Sequence, residues 1–242
     1  MQNLTVSPAT PFHHLVLIGG GEFSFGETRE IDEFLLRSMP ADRRTIAFIP
    51  AASGSAEYAV HLGKYFTSID PTVNTINVPI YRGRDGRRGK NATLLRSAGM
   101  IYLGGGLSSQ LLEPLRDTPS ELAMREAAAA GTVIAAIGAA ASCFGAVARD
   151  PRGASTLPAL GWLEETVIET LFDPQQDSML RRLMSLPEVR LGLGIPRSSA
   201  LAIAGDGSTV ILGTGNVAAF RRKAEEPPPP DHSPVRGELP GP

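Results

Sequence analysis

From residue 15 onward, short apolar runs alternate with segments of helical periodicity, and this alternation limits the chain to few folds. Such runs predict strands, and strands that alternate with helices build a mostly parallel sheet with helices on both faces. The predicted strands cover residues 15–18, 45–49, 75–78, 100–103, 132–137, 166–170, 200–204 and 209–212. The sequence therefore predicts an α/β fold with three layers.

The best-defined helix lies before the most apolar strand. Thr118 can cap this helix, Pro119 suits its first position, Glu121 completes a capping box and Gly131 can end it. The strand that follows, at 132–137, is almost wholly apolar, which is typical of a central parallel strand buried on both faces. This region should form the centre of the sheet.

The length of 242 residues fits one domain with appended ends. We expect an N-terminal extension at 1–13, a single α/β domain at 14–222 and a Pro-rich tail at 223–242. With four consecutive prolines and few apolar side chains, the tail cannot bury enough surface to order itself, so we expect it to be disordered.

Composition excludes several classes of function. The single cysteine, Cys143, excludes an internal disulfide and a cysteine-based zinc site, and it favours a cytoplasmic protein. The chain shows no secretory leader and no apolar run of about 18 residues, so we expect no membrane association. No histidine and carboxylate pair has metal-ligand spacing, and we expect neither a metal nor a cofactor.

The formal charge is −2, and the basic residues form no long stripe. The densest basic patch lies in a Gly-rich turn and consists of Arg82, Arg84, Arg87, Arg88 and Lys90. We favour a solvated loop for this patch over a contact with nucleic acid or phosphate, and we expect no nucleic-acid partner.

Three predicted strands end in turns of small residues. The turns are Gly-Gly-Gly-Glu at 19–22, Ile-Pro-Ala-Ala-Ser at 49–53 and Ile-Tyr-Leu-Gly-Gly-Gly at 101–106, with Ser-Gln-Leu-Leu following at 109–112. In this order they resemble the cyanophycinase and dipeptidase E family of serine peptidases, and the resemblance extends over about 15–212. It implies a class I glutamine amidotransferase-like (flavodoxin-like) domain and hydrolysis by a serine nucleophile with a histidine base.

The nucleophile of that family is a serine in a Gly-x-Ser-Ala-Gly turn, where the strand-to-helix elbow exposes the hydroxyl to an oxyanion site. Without gaps, the motif falls on residues 136–140 and places Gly138 at the serine position. A register shifted by two residues places Ala140 there instead. Neither side chain can attack a carbonyl group.

The general base implied by the resemblance is also missing. The family's Asp-Gln-His-Phe stretch aligns with residues 169–172. Leu171 therefore stands at the histidine position, and Glu169 provides an acidic residue at the aspartate position. The chain's histidines are His13, His14, His61 and His232. None of them is well placed to come within hydrogen-bonding distance of a nucleophile at the elbow.

Residues that the resemblance assigns to substrate binding differ as well. The arginines that follow the family's histidine correspond to Gln175, Asp177 and Leu180. The polar pair after the glycines of the fourth strand is replaced by Leu107 and Ser108. Substrate recognition is therefore altered together with the catalytic pair.

Ser142 and Cys143 are weak nucleophile candidates near the elbow. Both fall inside the helix that follows it, and no histidine or basic residue is adjacent in sequence to lower the pKa of the thiol. We interpret Cys143 as a buried structural residue.

Two hypotheses follow. The first is a non-catalytic relative that keeps the scaffold and binds a small molecule, a peptide or a protein partner. The second is a serine-type peptidase that uses an unrecognised nucleophile such as Ser53, Ser108, Ser142 or Cys143. Fold similarity cannot decide between them, because function depends on the site.

Under the first hypothesis, the ligand should bind in the crevice at the carboxyl ends of the central strands. The sequence neither predicts nor excludes a homodimer. The expected ligand-binding residues are Glu22, Ser53, Gly105, Gly106, Leu107, Ser108, Gly138 and Ala139.

Overall fold

The computed structural model describes residues 4–55, 57–150 and 155–222. The expected disordered tail at 223–242 lies outside the described residues. The strands are β1 (His14–Ile18), β2 (Thr45–Ile49), β3 (Asn74–Asn77), β4 (Met100–Leu103), β5 (Val133–Ile137), β6 (Val147–Arg149), β7 (Thr156–Pro158), β8 (Thr166–Thr170), β9 (Leu191–Ile195), β10 (Ser199–Ala204), β11 (Thr209–Gly213) and β12 (Ala218–Arg221). The α-helices are α1 (Arg29–Ser38), α2 (Glu57–Ile69), α3 (Gly89–Ser97), α4 (Ser108–Leu115), α5 (Pro119–Ala129), α6 (Ala139–Ser142) and α7 (Ser178–Met184).

A sheet of seven strands forms the middle layer, in the order β11-β10-β1-β5-β4-β2-β3. The five strands from β1 to β3 in this order run parallel, while β10 and β11 are antiparallel additions at one edge. The register pairs Ile18 with Ile137 and Leu103 with Ala136. The carboxyl ends of β1, β4 and β5 therefore meet at one edge of the sheet.

Alternation along the central strands sends side chains into two separate cores. Leu15 and Leu17 of β1 face one core, whereas Val16 and Ile18 face the other. The first core is closed by apolar residues of α3, α4, α5 and α6, and the second by those of α1 and α2. The predicted three-layer α/β architecture is confirmed.

The predicted capping box of the central helix forms only in part. Thr118 Oγ1 accepts a hydrogen bond from Glu121 N at 3.3 Å, and Pro119 occupies the first turn of α5. The Glu121 carboxylate reaches back to Asp117 N at 2.7 Å rather than to the cap residue itself. The bond to Thr118 satisfies an amide group that a helix start otherwise leaves without a partner, and the bond to Asp117 fixes the chain before the cap.

The second half of the chain adds two small sheets. One has the order β12-β9-β8, with β8 and β9 parallel, and the other pairs β6 with β7. The loop after β8 contacts the main sheet, because Leu171 N donates to Gly19 O at 2.9 Å. Within residues 4–13, the segment before β1 packs on the domain, since Val6 and Phe12 are buried.

Among the described residues, no helix is long and apolar enough to cross a membrane.

Candidate active site

The turn after β5 has the backbone geometry of a strand-to-helix elbow. Gly138 caps α6 with φ 59° and ψ −131°, a combination that residues with a Cβ adopt only at a cost of about 1–3 kcal/mol. Its N–H donates to Ile18 O at 2.9 Å, and its carbonyl accepts from Ala141 N at 2.9 Å. The elbow is thus held in place between β1 and α6.

The space around the elbow could hold a side chain. A Cβ added at Gly138 would meet no atom of the described residues within 4 Å. Ala140, the alternative nucleophile position, is fully buried in the core. The register without gaps is therefore the one that puts the family's serine position at the elbow.

Leu171, at the position of the family's histidine, enters the same pocket. It follows β8 with φ 53°, and its side chain is 60% exposed. Its Cδ2 lies 2.4 Å from the point that a Cβ on Gly20 would occupy, so Leu171 covers the first glycine turn. The fold thus brings the serine and histidine positions, Gly138 and Leu171, to one cavity.

We call this cavity the elbow pocket. It has a volume of 280 Å³ and is open to solvent on one side. Its walls combine the glycine turns after β1 and β4 with apolar side chains, an aromatic ring and the polar side chains of Ser53 and Arg197. The lining residues are Gly20, Gly21, Ser53, Tyr58, Gly104, Gly105, Ile137, Gly138, Leu171 and Arg197.

The nucleophile candidates named after the elbow do not line this pocket. Cys143 is buried, and its Sγ lies 3.2 Å from Ala139 O. Burial raises the pKa of the Cys143 thiol to about 12, so it is protonated near neutral pH. Ser142 is buried too and donates its hydroxyl to Ala139 O at 2.9 Å.

Ser53 is the candidate hydroxyl that does reach the elbow pocket. Its Oγ lies 3.3 Å from Pro50 O, to which it donates, and accepts a bond from Ser55 N at 3.4 Å. Ser108 is buried at the start of α4 and lies outside the pocket. A hydroxyl without a base remains a weak nucleophile.

Within the described ranges, no histidine lines the elbow pocket. His13 and His14 lie at the start of β1, and the parallel register pairs His14 with Val133, at the far end of β5 from Gly138. Five residue steps separate Val133 from Gly138, which is about 16 Å along an extended strand. His61 is exposed on α2, and His232 lies outside the described residues.

The expected ligand-binding residues divide into two groups. Ser53, Gly105 and Gly138 line the elbow pocket. The other five lie outside its lining, and their contacts are mainly local: Glu22 caps the 3-10 turn Phe23–Phe25, Gly106 packs on Ala52 O, Leu107 N donates to Ala52 O, Ser108 is buried, and Ala139 begins α6.

Two pocket residues were missed by sequence reasoning. Tyr58 belongs to the apolar stripe of α2, whose helical period predicts a core aromatic, and the structure places it half-buried at the pocket wall. Arg197 follows β9, a strand that the sequence did not predict, and it forms an ion pair with Glu27 at 2.7 Å. A hydrogen bond from Glu22 N–H and the Arg197 guanidinium hold the pKa of Glu27 below its usual value.

The positions that correspond to the family's substrate arginines are not in the pocket either. Leu180 is buried under the second sheet, and Asp177 forms an ion pair with Arg181 at 2.7 Å. Glu169 pairs with Arg149 at 3.7 Å, and burial raises the pKa of its carboxyl group. Among the described residues, no cluster of three or more histidine, cysteine or acidic side chains could hold a metal ion.

A buried carboxyl group lies behind the aromatic wall of the pocket. Asp32 Oδ2 accepts hydrogen bonds from Thr28 Oγ1 at 2.7 Å and from Tyr65 OH at 2.8 Å. The Phe23 ring lies 5.0 Å from Tyr65 and 5.5 Å from Tyr58, and so connects this group to the pocket. Burial raises the pKa of Asp32 from 3.8 to about 6.

The raised pKa of Asp32 predicts a specific pH dependence of stability. The folded state binds the proton more tightly than the unfolded state, so this contribution is full below the ordinary pKa and is lost as the pH rises through about 6. We expect Asp32 to lower the free energy of unfolding by about 2–3 kcal/mol between pH 4 and 7. Urea unfolding of the wild type and Asp32→Asn at several pH values measures this difference.

The control for that measurement is Glu30→Gln, which changes an exposed carboxylate on the same helix. Its pH profile should follow the wild type. A profile for Asp32→Asn that parallels the wild type across this range would show that the Asp32 carboxyl group does not titrate as expected.

The chain is similar in sequence to known peptidases. A family model described as Peptidase family S51 matches residues 15–211. An uncharacterized peptidase, YgaJ of Bacillus subtilis (strain 168), is 27% identical over 154 residues, which are 62% of this chain and 65% of the relative. The match therefore spans slightly less than two thirds of that relative's length.

Two solved structures share the fold. A peptidase from an acI-B1 Actinobacterium has a TM-score of 0.68 at 19% identity, over 88% of this chain and 99% of that one. A putative peptidase E protein from Listeria monocytogenes EGD-e has a TM-score of 0.55 at 17% identity, over 88% of this chain and 100% of that one. Both likenesses agree with a three-layer, flavodoxin-like α/β fold.

Proposed function

Because the chain belongs to peptidase family S51, whose model matches residues 15–211, we propose that it is a non-catalytic member that binds a small ligand in the elbow pocket. One observation carries the proposal. The serine and histidine positions of the family, Gly138 and Leu171, both line this pocket, and neither side chain can act as a nucleophile or a base.

Substitution of the nucleophile alone would leave the proposal weak. The base position is lost as well, and the described histidines lie elsewhere on the fold. Hydrolysis by a serine peptidase needs both groups within hydrogen-bonding distance of each other. The two losses together support a site that no longer hydrolyses peptides.

The elbow pocket remains suited to a ligand of amino-acid size. Its volume of 280 Å³ is near the lower end of the range for small-molecule sites. Ile137, Leu171 and the Tyr58 ring offer apolar contacts, and Ser53 and Arg197 offer polar ones. These groups fit an amino acid, a short peptide or a small organic acid. The single buried cysteine agrees with a reducing, cytoplasmic location, which we include in the proposal.

A thermal-shift screen of amino acids, dipeptides and small acids tests the binding proposal. A ligand present at a hundredfold excess over its Kd stabilises the native state by about 2.7 kcal/mol. For a domain of this size, that corresponds to an increase in Tm of about 5–10 °C. We expect at least one compound in the screen to give such a shift with the full-length protein.

The control variants distinguish the elbow pocket from other surfaces. Leu171→Trp should fill the pocket and remove the shift, because Leu171 forms part of its wall. Leu122→Trp, at an exposed leucine on α5, should keep the shift. If no compound raises the Tm, or if the shift survives Leu171→Trp, the elbow pocket is not the binding site.

A further inference from the structure

A second cavity, larger than the elbow pocket, lies beside it at the carboxyl ends of β2 and β3. It has a volume of 990 Å³. Ser53 lines both cavities, so the two adjoin at this residue. We call the second cavity the arginine cleft. Among the groups that line it are Arg82, Arg84 and Arg88 from the loop after β3, and Gln110 and Glu113 from α4.

The loop that carries the arginines is held by a buried carboxylate. Asp85 Oδ2 accepts hydrogen bonds from Tyr81 N at 3.0 Å and from Arg82 N at 3.1 Å, and its Oδ1 lies 3.0 Å from an amino group of Arg88. These contacts, with the Tyr81 N–H bond first, hold the pKa of Asp85 below its usual value. The carboxylate therefore fixes the loop as a rigid turn.

Two further contacts attach this loop to the body of the protein. The buried Asn91 donates from Nδ2 to Pro79 O at 3.2 Å and to Asp85 O at 3.0 Å. Gly86 approaches α4 so closely that a Cβ there would lie 1.9 Å from Pro114 O. A loop fixed in this way loses little conformational freedom when a ligand binds, which favours affinity.

The guanidinium groups of the cleft are incompletely neutralised. Within the residues that the structure describes, Arg82 and Arg84 have exposed side chains with no hydrogen bond or ion pair, whereas Arg88 is paired with Asp85. Glu113 Oε1 lies 3.6 Å from the point that a Cβ on Gly83 would occupy, so this carboxylate stands beside the loop that carries the arginines, and an anion in the cleft would approach it. Unpaired arginines in a concave site offer the charge-assisted, forked hydrogen bonds that carboxylate and phosphate groups accept.

We propose that the arginine cleft binds a small anion that carries carboxylate or phosphate groups, with Arg82 and Arg84 as its main contacts. For Arg82, Arg84 and Arg88 this proposal differs from the solvated-loop interpretation, which stays in place for Arg87 and Lys90. A small molecule fits better than a nucleic acid, because the basic groups line a concave cavity together with two carboxylates and the whole chain has a formal charge of −2. The inference does not depend on whether the elbow pocket is catalytic.

Isothermal titration of the full-length protein with citrate and with pyrophosphate tests this inference. At low ionic strength, about 20 mM, we expect at least one of the two anions to bind, and we expect its affinity to fall as salt is added. Arg82→Gln and Arg84→Gln should each weaken binding by about tenfold or more, because each removes a charge-assisted hydrogen bond. Glu113→Gln should strengthen it by removing a facing negative charge.

The matched control is Arg87→Gln, since Arg87 is an exposed arginine of the same loop that does not line the cleft. It should leave the affinity nearly unchanged. Binding of citrate alone would identify a carboxylate site, and binding of pyrophosphate alone a phosphate site; either result supports the inference. Leu171→Trp should not affect anion binding, so failure of the elbow pocket as a site can be told apart from failure of the cleft.

Two results would overturn the inference. One is the absence of any heat of binding when citrate or pyrophosphate is titrated at millimolar concentration in low salt. The other is an equal loss of affinity in Arg87→Gln and Arg84→Gln, which would indicate attraction by the general charge of the loop rather than a site in the cleft.

Discussion

Gly106→Ala is expected to lower the free energy of unfolding by about 3–5 kcal/mol, the range of severe single substitutions. A Cβ at this position would lie 1.9 Å from Ala52 O and 2.2 Å from its carbonyl carbon, and the residue has φ 147°. Both atoms belong to backbone that cannot turn aside as a side chain would. The turns after β2 and β4 would have to separate, although Leu107 N–H now donates to Ala52 O at 2.9 Å.

Denaturant unfolding of three alanine variants isolates the cause of that loss. Gly138→Ala has open space around its Cβ but retains the strain of φ 59°, so we expect it to cost about 1–3 kcal/mol. Gly89→Ala, at the start of α3, meets no described atom within 4 Å and has no unusual φ, so it should be neutral or stabilising. A loss below about 1 kcal/mol for Gly106→Ala would show that the two turns are not in the contact described.

The cost of a Cβ at φ 59° also affects which residue suits the elbow. A serine at this position would add backbone strain of about 1–3 kcal/mol, which an active enzyme must offset elsewhere. With Gly138, this chain keeps the elbow geometry without the strain. Under the proposed function, glycine at the expected serine position removes the nucleophile and relaxes the turn at the same time.

The main sheet could be predicted because its strands are strongly apolar and end in clear breakers. The run at 132–137 corresponds to β5, in which all five residues are buried. Parallel strands that are covered on both faces leave little ambiguity in a pattern of this kind. The three-layer fold followed from the alternation of strands and helices alone.

The second half of the chain was less predictable because packing, rather than local preference, forms its elements. The strand β9 contains Gly192 and Gly194, and glycine disfavours strands. Each of these glycines gives room to a large neighbour: a Cβ would lie 2.6 Å from Met184 Sδ at Gly192, and 2.5 Å from the Phe172 ring at Gly194. No pattern within the strand reveals those distant partners.

The sequence could predict the part of the elbow pocket that lies at the strand-to-helix turn and at the turn after β8. The family's serine and histidine motifs, aligned without gaps, led to Gly138 and Leu171, and the fold brings both to one pocket. Tyr58 and Arg197 reach that pocket from an amphipathic helix and from a loop after an unpredicted strand. Their role depends on tertiary contacts, so helical periodicity could identify Tyr58 only as a buried aromatic.

We expect no peptidase turnover at the elbow, and the expected loss of kcat relative to an active serine peptidase is large. In serine peptidases, loss of the nucleophile or of the histidine lowers kcat by about 10⁶-fold. Under the proposed function both positions are substituted, and the thiol of Cys143 is buried with a pKa raised to about 12. Ser53 is the hydroxyl to examine, because it lines the elbow pocket without a described histidine nearby.

The most direct measurement of this claim is amino-acid release from aspartyl dipeptides and from β-aspartyl-arginine, followed with purified full-length protein in a coupled assay. We expect a rate equal to the protein-free blank, both for the wild type and for Ser53→Ala, Ser142→Ala and Cys143→Ala. Turnover that increases with protein concentration, and that any one of these three substitutions abolishes, would contradict this expectation and identify a working hydrolase.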